Sequence, residues 1–132
     1  MQLLDERGFR AVLYLLGASQ IALFAWMVIS PGSFFDGIAG FGPQNDHYIR
    51  DAAMFPLAVG IGLLISARRP SWRGPTLAIA AIWYLAHAVN HLVDIADADP
   101  GWVGPFDFLA ILITGLVLAW LAVAAGKVEP SR

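Results

Sequence analysis

Four apolar stretches alternate with short polar segments along the chain. A helix needs about 20 mostly apolar residues to cross ~30 Å of hydrocarbon, so each stretch predicts a transmembrane helix. The first runs from about Phe9 to Ser30 and stops at Pro31 and Gly32. It follows Arg7 and Arg10 as a signal peptide would. It is too long for one, however, and has no small-x-small cleavage pattern before Pro31, so it reads as a retained span. The second runs from about Asp46 to Ala67, with Asn45 as its N-cap. Its strictly apolar part, Ala52 to Ile65, is short, which puts its opening turns in the membrane interface; Pro56 predicts a bend. The third runs from about Pro75 to Asp94, with the proline at a permitted first-turn position. The fourth runs from about Gly104 to Gly126. There is no internal repeat, and residues 1–132 read as one all-α domain, a bundle of four transmembrane helices.

Composition agrees. The chain is 58% hydrophobic and 14% charged, against roughly 25% charged residues in soluble domains, so its main partner is the lipid bilayer. The charges fall in a pattern that orients it. Arg7 and Arg10 precede the first span, Arg68, Arg69 and Arg73 lie between the second and third, and Lys127 and Arg132 follow the fourth. The two remaining connections hold Asp36, Asp46, Asp97 and Asp99, with Arg50 their sole cation. The positive-inside rule then puts both termini in the cytoplasm and the 31–45 and 95–103 segments outside the cell membrane. Trp26 and Trp102 fall at the expected outer interface, Trp72 and Trp120 near the inner one, and Trp83 at mid-span, packed between helices. A net charge of −2 without a basic stripe gives nucleic acid no footing. The absence of cysteine removes disulfides, thiolate metal sites and dithiol redox chemistry. The single lysine, Lys127, lies beyond the last span, so a buried Schiff-base lysine is excluded too.

Chemistry is concentrated in one place. The second span opens with Asp46, His47, Arg50 and Asp51, and the third closes with His87, Asn90, His91 and Asp94. Positions 87, 90, 91 and 94 share a helical face, Tyr84 extends it inward, and positions 47, 50, 51 and 54 make a similar stripe. Asp107 opens the fourth span at the same level, and Gln20 of the first lies nearer mid-span. His87 sits about 10 Å deeper than Asp94 at a rise of 1.5 Å per residue. A polar group at that depth belongs inside the bundle and is a functional candidate.

Three readings fit this cluster. In the first it is structural: Arg50 pairs with Asp94 or Asp107, and the histidines and Asn90 bond across helices. In the second it is a metal site. His87 and His91, four residues apart, act as primary ligands, with Asp94, His47, Asp51 or Asp107 completing a sphere for zinc, iron or copper. A haem between His47 and His91 is a variant. In the third it is a cavity that takes a small ligand, moves protons, or acts on a lipid-soluble substrate through His/Asp acid–base chemistry. The cytoplasmic halves of the spans offer no ionisable path, so a proton route is incomplete within one chain. The sequence therefore predicts an outward-facing pocket between the second, third and fourth spans. His87, His91, Asp94 and His47 would hold a metal, and Arg50, Asp51, Tyr84, Asn90 and Asp107 a ligand. The alternative is an accessory subunit of a larger membrane complex, or a homo-oligomer, without chemistry of its own. The 31–43 segment carries four large apolar residues and lies along the interface or folds over the bundle as a lid. Gly60, Gly62, Gly115, Ala119 and Ala122 read as sites of close helix packing.

Pro43, Asn45, Asp46, His47, Arg50 and Asp51, followed downstream by His87 and His91, form a pattern. It resembles a group of small four-helix membrane proteins common in actinobacteria and broadly similar to the DoxX-like superfamily. The resemblance implies a four-helix bundle with these groups gathered at one end, and a loose association with membrane redox complexes. It implies no activity, and the lack of cysteine weakens a thiol-redox version of that association.

Overall fold

The computed structural model describes residues 5–125. Lys127 and Arg132, used above to orient the C-terminus, lie outside the described residues, as does Gly126. The chain forms helices α1 (Glu6–Ile29), α2 (Pro31–Ile38), α3 (Asp46–Arg68), α4 (Arg73–Val93) and α5 (Val103–Ala125), with a single 3-10 turn at Pro70–Trp72 before α4. Helices α1, α3, α5 and α4 with its leading turn are each long and apolar enough to cross a membrane. The bundle is therefore the all-α four-span architecture that the apolar pattern predicts.

Local chemistry sets the ends. Asp5 caps α1, its carboxylate accepting from the Gly8 N–H at 2.8 Å. With Glu6 in the first turn, this extends α1 three residues ahead of its apolar stretch. Asn45 caps α3 as expected, accepting from the Tyr48 N–H at 3.1 Å. Pro31 ends α1 and, in the next breath of chain, begins α2, a position where its missing N–H costs nothing.

The helices associate as two antiparallel hairpins, α1 on α3 and α4 on α5, while α3 meets α4 more sparingly. Small residues allow each close approach. Gly17 of α1 and Gly60 of α3 face one another, and a Cβ on either would come within about 3.1 Å of the other's carbonyl oxygen. Gly115 of α5 receives Leu85 of α4, and Gly62 receives Thr76. Gly60, Gly62 and Gly115 thus pack as the sequence predicts; Gly17 completes the α1–α3 crossing.

The two ends of the bundle differ. At the end holding Arg68, Arg69 and Arg73, called here the arginine end, the hairpins meet through a continuous core that includes Phe9, Leu13, Leu63, Leu77, Leu118 and Leu121. Arg73 is clamped there with its side chain 5% exposed. Its guanidinium donates to both Glu6 carboxylate oxygens, at 2.8 and 2.6 Å, and through Nε to the Ser66 carbonyl at 3.2 Å. It also lies over the Phe9 ring, 5.2 Å from the centroid. One side chain thereby ties α1, α3 and α4 together.

At the opposite end the two connections cover the bundle and pair with each other. Phe41 and Ala98 form an isolated antiparallel bridge, and the Asp99 N–H donates to the Gly40 carbonyl at 2.8 Å. The apolar 31–43 segment is not all loop. Its first half is α2, whose Phe34 and Phe35 pack onto Met27, Ile49 and Ala53. Trp26 braces it from α1, edge-on to Phe34 and donating to the Ser33 hydroxyl at 3.2 Å. This is called the capped end below.

Candidate functional site

Toward the capped end the hairpins separate around a cavity of about 660 Å³. All five helices line it: Gln20, Leu23 and Met27 from α1, Phe34 and Phe35 from α2, Tyr48, Ile49, Ala52 and Pro56 from α3, Trp83, Tyr84, His87 and His91 from α4, and Asp107, Ala110 and Thr114 from α5. Phe41 of the capping connection also faces it, as do Asn90 in the last turn of α4 and Asp94 just after it. The cavity thus touches the second, third and fourth spans. It is also walled by α1 and roofed by α2.

The helix-4 face is the part legible from spacing. Positions 84, 87 and 91 fall on one side of α4 and all reach the cavity. The Tyr84 hydroxyl donates to Gln20 Oε1 at 2.7 Å, a buried bond joining the hairpins. Beyond it runs a ladder of rings. Phe55 stacks on Trp83 at 3.7 Å between centroids, and Trp83 on His87 at 4.6 Å. His87 meets His91 edge-on at 4.6 Å, and His91 meets Phe41 edge-on at 4.9 Å. Trp83 does pack between helices, and it forms part of the site wall as well.

The polar end of the ladder is incompletely satisfied. His91 Nδ1 is buried without a hydrogen-bond partner. Its neighbour Asp107 Oδ2 is 3.9 Å away, beyond hydrogen-bond reach. The His91 and Asp107 side chains are 13% and 9% exposed. Buried polar atoms are almost always paired, so a facing imidazole and carboxylate left apart on a cavity wall stand ready for a third group.

The other half of the expected cluster is not in the site. His47 and Asp51 pair with each other at 3.4 Å on the surface, with side chains 87% and 67% exposed. Arg50 pairs with Asp46 at 3.8 Å rather than with Asp94 or Asp107. The physical reason is the apolar face of α3. Ile49, Ala53, Pro56, Gly60 and Leu63 are among its buried residues, and they lie opposite the 47/50/51 stripe. Charged residues in an opening turn reach water directly, so nothing draws them inward. His47 and His91 are therefore not brought together as an axial pair for haem. Among the described residues no group of three His, Asp or Glu side chains is placed to hold a metal ion; His87, His91 and Asp107 approach one another without forming such a set.

Two contributions were hidden from the sequence. Phe34, Phe35 and Phe41 roof the cavity, and their only signal was the excess of large apolar residues in a connecting segment. Arg73 read simply as a topology-setting charge. No protein-family model, curated protein or solved structure matches this chain, so its site is interpreted from its own residues.

Proposed function

We propose that this protein is a small membrane binding protein that holds a lipid-soluble molecule bearing a polar head group in the cavity between its hairpins. The body of the molecule lies against Leu23, Met27, Phe34, Phe35 and Ile49, and its head reaches His87, His91 and Asp107, with Asn90 and Asp94 at the mouth. The observation that carries this reading is the unpaired His91 Nδ1 beside Asp107 on the wall of a largely apolar cavity. Such sites take ligands: mostly apolar lining, with a few convergent polar groups that fix orientation. The loop charges supply the orientation, with the capped end outside and the arginine end in the cytoplasm of a cell with this protein in its surface membrane.

The test is chemical analysis of protein extracted directly into native-lipid discs, so that no detergent strips the cavity. A small molecule enriched with the wild-type protein, and lost when Ala110→Trp fills the cavity, is the expected result. Equal small-molecule content in the two preparations overturns the reading.

A further inference from the structure

We propose that the cavity selects an organic cation: its occupant is an amphipathic amine or quaternary ammonium whose charge is met by Asp107 and whose body lies among apolar and aromatic side chains. This deepens the binding reading above and rests on it.

Charge bookkeeping of the lining points this way. Two carboxylates, Asp107 and Asp94, face the cavity, and no lysine or arginine among the described residues lines it. Of the arginines, Arg50 pairs with Asp46 outside the cavity, and Arg73 and Arg68 are held on Glu6 and the Tyr14 hydroxyl at the far, arginine end. Asp107 has one basic group within ion-pair distance among the described residues, His91 at 3.9 Å, and that imidazole makes no hydrogen bond to it. A carboxylate nine-tenths buried without a counter-charge is costly in a medium of low polarity. A positive head group placed between Asp107 and the cavity centre removes that cost. An anion would meet two like charges, and a neutral molecule would leave Asp107 unmatched.

The walls suit the same occupant. Phe41, Phe35 and Phe106 line the cavity, and aromatic rings attract cations, more so where water is excluded. Trp83 lines it too, but Phe55 and His87 stack on its ring, so it backs the wall without offering a free face. Asp94, the residue that caps the end of α4, adds a second carboxylate to the lining.

Two ions of matched shape and opposite charge test the inference. Protein in phosphatidylcholine discs is dialysed at pH 8 against tetraphenylphosphonium, tetraphenylborate or neutral triphenylmethanol, with empty discs subtracted. At that pH imidazoles of ordinary pKa, about 6.5, carry no fixed charge. The expected result is binding of tetraphenylphosphonium roughly tenfold or more tighter than of either other probe. That preference is lost in Asp107→Asn, kept in Asp107→Glu, and untouched in Asp51→Asn, which lies outside the cavity. Equal or tighter binding of tetraphenylborate or triphenylmethanol overturns the inference while leaving the binding reading in place. Binding of none of the three overturns both. The comparison of the three probes on wild-type protein decides the matter even if Asp107→Asn does not fold.

Discussion

The opening turns of α1 and its second half run along the same partner helix, α3, yet they meet different interiors. Near the arginine end, Phe9 and Leu13 enter a core where Leu63, Leu77, Leu118 and Leu121 fill the space between the hairpins. Near the capped end, Gln20, Leu23 and Met27 face a cavity. The difference is one of side-chain size and of how polar groups are used. The packed half sets leucines against one another, whereas the open half sets Ala52 and Pro56 opposite Ala110 and Thr114. Arg73 in the packed half spends its guanidinium on Glu6 and Ser66. In the open half, His91 and Asp107 remain apart. Polar groups that satisfy each other mark structure, and polar groups left facing a void mark a site.

This contrast can be broken most severely by Leu77→Ala. Leu77 is fully buried in the packed core, so its truncation is expected to lower the unfolding free energy by about 2–5 kcal/mol. Reversible unfolding in lipid-detergent micelles measures this, and a loss below ~1 kcal/mol would mean that the arginine half is no better filled than the other. Next in size is Arg73→Met, which should cost about 1–3 kcal/mol. The figure stays below that for a fully buried pair because Glu6 is 52% exposed and regains water. Arg73→Lys should recover little, since it lacks the fork that engages both carboxylate oxygens; full recovery by lysine would reduce the clamp to a simple charge contact. The smallest effect is expected for His47→Ala, within about 0.5 kcal/mol, as for other exposed ion pairs. It should leave the small-molecule content of purified protein unchanged. A marked loss of that content would return the exposed stripe of α3 to the site and redraw the boundary between the halves.

The spans were legible because length and apolarity are the whole requirement for crossing a bilayer. The α4 side of the site was legible for a related reason: His87 and His91 stand deep enough that lipid exposure is costly, which fixes the direction in which they point. The α3 side was not. His47, Arg50 and Asp51 share a face, but at a helix opening they have water within reach, so shared spacing says nothing about which way the face turns. The better guide was the apolar series Ile49, Ala53, Pro56, Gly60 and Leu63, which identifies the inward side of α3 directly. The pairing of Arg73 with Glu6 joins residues 67 positions apart, and no local pattern announces it. The 31–38 segment folds as a helix because Pro31 starts one and Phe34 and Phe35 have a surface to bury against, a tertiary reason invisible to spacing.

The closure of the capped end is made from main-chain atoms: the Phe41–Ala98 bridge and the amide of Asp99 on the carbonyl of Gly40. A clasp of that kind is indifferent to most side chains, so the residues beside it are free to change without undoing it. Gly40 is an exception, because a Cβ there would overlap the Asp99 carbonyl oxygen, and Gly104 is another, against the Ile95 carbonyl oxygen. The roof over the cavity can thus be re-lined by substitution at neighbouring positions while its fastening stays put, whereas an alanine at position 40 would unlatch it.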